Sequence, residues 1–225
     1  MTRIIPVIRH ADDETSIRNA VLAEKAGAAG VFLIHMSGYD DELDCPARAI
    51  KAICPKLLVG TNRLSMLPAK AIDLDDSLGL DMTWADNCGV TSAGTNGFVP
   101  RIVSALDRIR AGGREHLFFG SVAFKYQAHE PDPATAALKV AELGWIATTS
   151  GSGTGSAPSI EKLAAMKSAI GNRPLAVASG ITPDNAIDLL PFIDYVLVAT
   201  GIERDHHNLD PHKLDRLMDV AARFA

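Results

Sequence analysis

The chain has 225 residues, 47% of them hydrophobic and 22% charged, with 22 Lys and Arg against 27 Asp and Glu for a net charge of -5. That composition can fill a core without disulfide staples, and an acidic balance with no basic run excludes the cationic footprint that nucleic acid requires. Cys45, Cys54 and Cys88 lack CxxC spacing, residues 1–10 are broken by Pro6 and charges, and no apolar run approaches the roughly 18 residues of a membrane span, so we expect a cytoplasmic protein without a disulfide framework, closed zinc site, leader or membrane segment.

Along the chain, short apolar or β-branched runs alternate with helix-period segments. Strands are predicted at 3–9, 30–35, 56–60, 81–85, 116–124, 145–149, 174–178 and 194–200. Between the first two, Ile17, Ala20 and Val21 share one helical face. Asp132-Pro133, Thr182-Pro183 and Asp210-Pro211 each set a capping oxygen before a proline suited to the first helical position, and Gly27, Gly79, Gly112, Gly144 and Gly171 suit helix ends. Eight strand-helix units of about 28 residues fit an α/β protein of the (β/α)8 TIM-barrel type. The competing open doubly wound sheet uses a glycine-rich first turn, and residues 11–14 contain no glycine. No linker or low-complexity segment interrupts the pattern, which predicts a single barrel domain over 1–225.

A barrel places its chemistry at the C-terminal ends of its strands. The loops there carry Ser150, Gly151, Gly153, Thr154 and Gly155, then Ser179 and Gly180, then Thr200 and Gly201. Backbone N–H groups approach an anion closely where side chains are absent, so these nine residues are the predicted phosphate cradle; taken singly, each glycine could equally serve a tight turn. Lys125 follows the apolar run 117–124, where a partly desolvated amine can hold an anion, act as a base or form a Schiff base. Asp86 is a candidate carboxylate facing it, or the start of an Asx turn with Asn87. His35 completes the catalytic candidates as an acid or base, while His10 reads as a loop contact. Asn62 and Arg9 are candidate substrate contacts, Arg9 alternatively pairing with Asp12 or Asp40. Cys88 reads as a small buried residue, His206 and His207 as a solvated loop, and residues 92–97 as a lid. No metal or cofactor is called for by this set.

Four segments carry a family resemblance: Gly60-Thr61-Asn62-Arg63-Leu64, Val122-Ala123-Phe124-Lys125, Ser150-Gly151-Ser152-Gly153-Thr154-Gly155 and Ala178-Ser179-Gly180-Ile181-Thr182-Pro183-Asp184-Asn185. Together they resemble the BtpA/SgcQ family of TIM-barrel proteins, more strongly in the second half of the chain. The resemblance implies a barrel like those that bind ribulose phosphate, in a family linked to photosystem I biogenesis or labelled as nucleosidases. This chain departs from the family at His35 in place of an acid, Ser121 in place of Asp, Tyr126 in place of His, and Ala199-Thr200-Gly201 in place of Gly-Thr. The expectation is an enzyme acting on a phosphorylated sugar or nucleotide-like substrate through glycosidic-bond or proton-transfer chemistry. A Schiff-base aldolase using Lys125 and a non-catalytic phosphate-ligand sensor or assembly factor are the alternatives. The partner expected is a small phosphorylated ligand, with a homodimer as the commonest assembly.

Overall fold

The computed structural model describes residues 2–224. Its parallel strands are β1 (Arg3–Arg9), β2 (Gly30–Ile34), β3 (Leu58–Asn62), β4 (Met82–Ala85), β5 (Leu117–Ser121), β6 (Ile146–Thr149), β7 (Leu175–Ala178) and β8 (Tyr195–Val198). They close in the order β1-β8-β7-β6-β5-β4-β3-β2, a (β/α)8 TIM barrel. The helices are α1 (Asp13–Lys25), α2 (Asp44–Ile53), α3 (Pro68–Ser77), α4 (Phe98–Ala111), α5 (Pro133–Glu142), α6 (Ile160–Ile170), α7 (Ala186–Leu189) and α8 (Pro211–Ala222).

Period-two alternation gives each strand two buried faces, one toward the axis and one toward the helices. Ile5, Phe32, Met82, Phe119, Ile146, Ala176 and Leu197 pack together inside the barrel. Ile4, Phe118, Ala147, Leu175, Val177 and Val196 join the helix-facing core. Inside, Phe119 meets Phe32 and Tyr195 edge-on, at centroid distances of 5.2 Å each. The barrel interior is therefore filled by side chains.

Several boundaries differ from the sequence pattern for local reasons. Strand β3 starts two residues later than predicted because Leu57 still closes a turn onto the Cys54 carbonyl at 3.1 Å, so Asn62 is the strand's last residue. Strand β5 stops three residues early because Ala123 adopts φ 48° and turns the chain out of the sheet. Asp132 and Asp210 cap α5 and α8 as expected. Thr182 starts no helix: it and Asn185 bond each other's backbone N–H groups at 2.8 and 3.3 Å, holding a turn that delays α7 to Ala186. At the end of α4 the left-handed residue is Gly113 (φ 76°), one past the predicted Gly112. The expected lid at 92–97 belongs to a small hairpin, Val90–Thr91 with Gly94–Thr95. Ser92 donates its N–H to Glu130 at 3.0 Å and accepts from Lys139 at 2.7 Å, which ties the hairpin down.

At the opposite, N-terminal end, the same device occurs twice, four strand-helix units apart. Asp81, just before β4, accepts from the Val59 N–H at 2.8 Å and from Lys51 of α2 at 2.6 Å. Asp194, just before β8, accepts from the Leu175 N–H at 2.8 Å and from Lys167 of α6 at 2.7 Å. Their own carbonyls receive the first N–H groups of β5 and β1. Each aspartate thus clamps three neighbouring elements of the closed sheet. Replacing Asp81 or Asp194 with Ala is expected to lower unfolding free energy by about 1–3 kcal/mol each. The two losses should add in the double variant because the clamps share no partner, which urea denaturation of the three variants will show.

Candidate functional site

Above the packed interior, at the C-terminal rim, lies a cavity of about 200 Å³. Of the predicted site residues it is lined by Lys125, Asp86, Arg9, Thr154, Gly155, Ser179, Gly180, Thr200 and Gly201. Lys125 stands at its centre. Its backbone N–H donates to Ser150 Oγ at 2.8 Å and its Nζ donates to Ser179 Oγ at 2.7 Å. Burial lowers the Lys125 pKa, opposed by the negative charge of Asp86.

The segment that presents Lys125 is unusual backbone. Ala123 (φ 48°), Tyr126 (φ 64°) and Ser179 (φ 88°) are left-handed without being glycine, and all three surround this lysine. Such conformations cost of order 1–3 kcal/mol each and persist where neighbouring contacts over-determine them. One such contact is visible. Lys162 of α6 donates to the carbonyls of Ala123 at 2.6 Å and Ser150 at 2.8 Å, joining the ends of β5 and β6. Burial brings the Lys162 pKa down to about 8.

Across the cavity, Asp86 accepts a hydrogen bond from Asn62 Nδ2 at 3.0 Å. Burial raises the Asp86 pKa, with Asn62 and Lys125 working against the shift. The Asx turn at this corner belongs to Asn87, whose Oδ1 receives the Gly89 N–H at 2.9 Å, so the Asp86 carboxylate is left for the cavity. Asn62 lies behind Asp86 and outside the cavity lining.

The loops after β6, β7 and β8 pack backbone against backbone. A Cβ on Gly180 would collide with the Ala157 backbone nitrogen, and one on Gly201 with the Ile181 carbonyl oxygen. Among the described residues, the N–H groups of Gly180, Ile181, Thr200 and Gly201 donate to no protein acceptor, although all four residues line the cavity. Three members of the predicted phosphate set lie elsewhere. Ser150 is buried, bonding the Lys125 N–H and the Gly151 carbonyl; Gly151 packs against the Ser156 and Ala157 carbonyls; Gly153 points into open space. In this loop the glycine at 151 serves close packing, the plainer of the two readings.

Arg9 pairs with neither Asp12 nor Asp40. Asp12 caps α1 through the Thr15 N–H, and Asp40 receives the Leu64 and Ser65 N–H groups. The partner of Arg9 is Glu203, at 2.5 Å, with Thr200 Oγ1 at 2.9 Å and His206 Nδ1 at 3.1 Å. His35 is not brought to the cavity: its Nδ1 accepts from the N–H groups of Ser37 and Tyr39 at 3.2 and 3.4 Å, and its Nε2 lies 3.4 Å from Glu42. Those bonds commit the ring to shaping its own loop. His10 is buried against Ser16. Cys88 is buried too, and burial pushes its thiol pKa up to about 12, well away from a nucleophile's range. Sequence reasoning missed the cavity role of Tyr126 and Trp84, and it missed Glu203 and Lys162 altogether. Only the run of apolar residues before Lys125 hinted at this neighbourhood.

Burial also acts on Glu203, raising its pKa from 4.5 to about 7 in spite of Arg9. A carboxyl whose folded pKa is raised stabilises the fold fully below its unfolded value and loses that contribution as pH rises through the folded value. The stability of the wild type relative to Glu203→Gln is therefore expected to fall between pH 4.5 and about 7 and to level off above. Urea denaturation of both proteins across that range will show the slope, and a flat difference would contradict it.

No family model and no curated protein matches the chain. Among solved structures it is similar to phosphoribosyl anthranilate isomerase from Thermus thermophilus, at 19% identity over 100% of both chains with a TM-score of 0.71. It is also similar to 3-hexulose-6-phosphate synthase, at 13% identity over 97% of this chain and 99% of that one, TM-score 0.71. Thiamine phosphate pyrophosphorylase from Pyrococcus furiosus gives 12% identity, coverage of 98% and 96%, and a TM-score of 0.69. At these identities the likeness establishes the fold: the chain is a TIM barrel of the form these three enzymes share.

Proposed function

We propose that this protein is an enzyme that binds a small phosphorylated substrate, a sugar phosphate or nucleotide-like molecule, in the rim cavity. The observation that carries the reading is that Gly180, Ile181, Thr200 and Gly201, whose N–H groups have no protein acceptor among the described residues, line the same cavity as Lys125, which bonds the neighbouring Ser179. Backbone donors left without acceptors are costly unless water or a ligand receives them, and a phosphate offers several acceptor oxygens at once. The names of the three similar enzymes, each carrying a phosphate or phosphoribosyl group, fit the same coarse class.

Asp86 and Lys125 then face the organic part of the substrate. Burial raises the Asp86 pKa and lowers that of Lys125, the directions that favour proton exchange between these groups and a substrate. Asn62 fixes the carboxylate by donating to it. In this reading His35 takes no part in the chemistry. Proton transfer or cleavage of a glycosidic bond assisted by Asp86 is what the pair supports, and the loops behind the BtpA/SgcQ resemblance supply much of the rim. The lowered pKa of Lys125 also favours a second reading, a Schiff base with a carbonyl substrate. Borohydride trapping across a panel of phosphorylated aldehydes and ketones separates the two, since only the second gives a covalent adduct at Lys125.

In a thermal-shift titration, ribose 5-phosphate or nucleoside monophosphates are expected to raise the melting temperature while their dephosphorylated partners do not. Lys125→Ala should weaken the responding ligand by about tenfold or more, the value of a charge-assisted hydrogen bond. Equal shifts with and without phosphate would sink the assignment.

A further inference from the structure

The two sides of the rim cavity differ in chemistry. The side formed by the ends of β5 to β8 carries Lys125, hydroxyls and the unpaired N–H groups. The side formed by β1 to β4 presents Val7, Ile34, Met36, Leu64 and Trp84, together with Arg9 and Asp86, which are held by Glu203 and Asn62. Met36 and Leu64 are 49% and 40% exposed, and Tyr126, 81% exposed, borders the same cavity. Apolar surface left in water at a cavity is surface a ligand gains by covering.

This wall is built and held in place. The Leu64 N–H donates to Asp40 Oδ1 at 3.0 Å. Arg63, one residue before, turns its guanidinium away from the cavity into the fold, donating to Asp75 at 3.0 Å and to the Asp40 carbonyl at 2.7 Å. Asp75 is fully buried and also receives the hydroxyls of Thr61 and Thr83. Among the described residues, the cations that line the cavity are Arg9 and Lys125, and Arg9 is already paired with Glu203. A ligand group on the Met36–Leu64 side therefore meets carbon and sulfur, with no free cation for a second negative charge and few partners for a row of hydroxyls.

We propose that the substrate is a phosphorylated compound whose other end is an uncharged, apolar, flat ring held against Met36 and Leu64, with Tyr126 at its edge. The proposal rests on the phosphate reading above and narrows it: a purely polyhydroxylated sugar phosphate, or a ring bearing a carboxylate, fits this wall poorly.

The test is a set of binding titrations with phenyl phosphate, 4-carboxyphenyl phosphate, ribose 5-phosphate and phenol. The proteins are the wild type, Leu64→Asn, Met36→Gln and Met36→Lys, all altered at partly exposed positions outside the proposed catalytic pair. Phenyl phosphate is expected to bind the wild type about tenfold more tightly than either other phosphate. Leu64→Asn and Met36→Gln should erase most of that preference, and Met36→Lys should improve 4-carboxyphenyl phosphate selectively. If all three phosphates bind alike in every protein, yet far better than phenol, the ring assignment is overturned and the phosphate reading stands. If phenol matches phenyl phosphate, the phosphate reading fails and takes this proposal with it, even where Leu64→Asn weakens both.

Discussion

Closure of eight short parallel strands is the constraint on which everything else in this molecule depends. With every strand paired on both sides no edge remains, and the interior is too narrow to hold anything except side chains. Phe32, Phe119 and Tyr195 fill it edge against face, and Ile5, Met82 and Leu197 take up the remainder. The rim cavity accordingly lies where the strands end. The Asp81 and Asp194 clamps at the far end hold strand starts together and leave the C-terminal loops free to specialise.

That specialisation is recorded in the backbone. The left-handed residues other than glycine, Ala123, Tyr126 and Ser179, gather around one lysine. Two of them flank Lys125 in sequence and the third offers its hydroxyl to the lysine's Nζ. Lys162 and Thr149 secure the Ala123 carbonyl from below. Strain of this kind persists where neighbouring contacts over-determine it, and here it accompanies the placement of Lys125 in the cavity that Asp86 also lines. The close stacking of the loops after β6, β7 and β8 has a related consequence. Gly180 and Gly201 allow those backbones to touch, and among the described residues their N–H groups have no protein acceptor.

The cavity is consequently two-sided, with Lys125 and hydroxyl groups toward β5 to β8 and with Met36, Leu64 and Trp84, beside the paired Arg9 and Asp86, toward β1 to β4. The buried group of Arg63, Asp75, Thr61 and Thr83 lies behind the apolar side and fixes its shape. His35 belongs to the same supporting layer, closing its own loop next to Met36.

The sequence by itself determined the architecture. Period-two apolar runs, proline and aspartate at helix starts and glycine near helix ends are local signals, and eight repeats of them admit few other folds. The strand-end rule then made Lys125, Asp86, Ser179, Gly180, Thr200 and Gly201 legible as neighbours, because in a barrel position along the chain maps onto position around the rim. What a side chain does at that rim was decided by tertiary structure. Arg9 meets Glu203, 194 residues away, and His35 is held by N–H groups whose direction no periodicity encodes. Gly151 and Gly180 read alike in sequence and both pack against the Ser156–Ala157 backbone, but Gly180 lines the cavity and Gly151 does not. The left-handed turns at Ala123 and Tyr126 left no mark either, as neither residue type favours that conformation and only the surrounding contacts impose it.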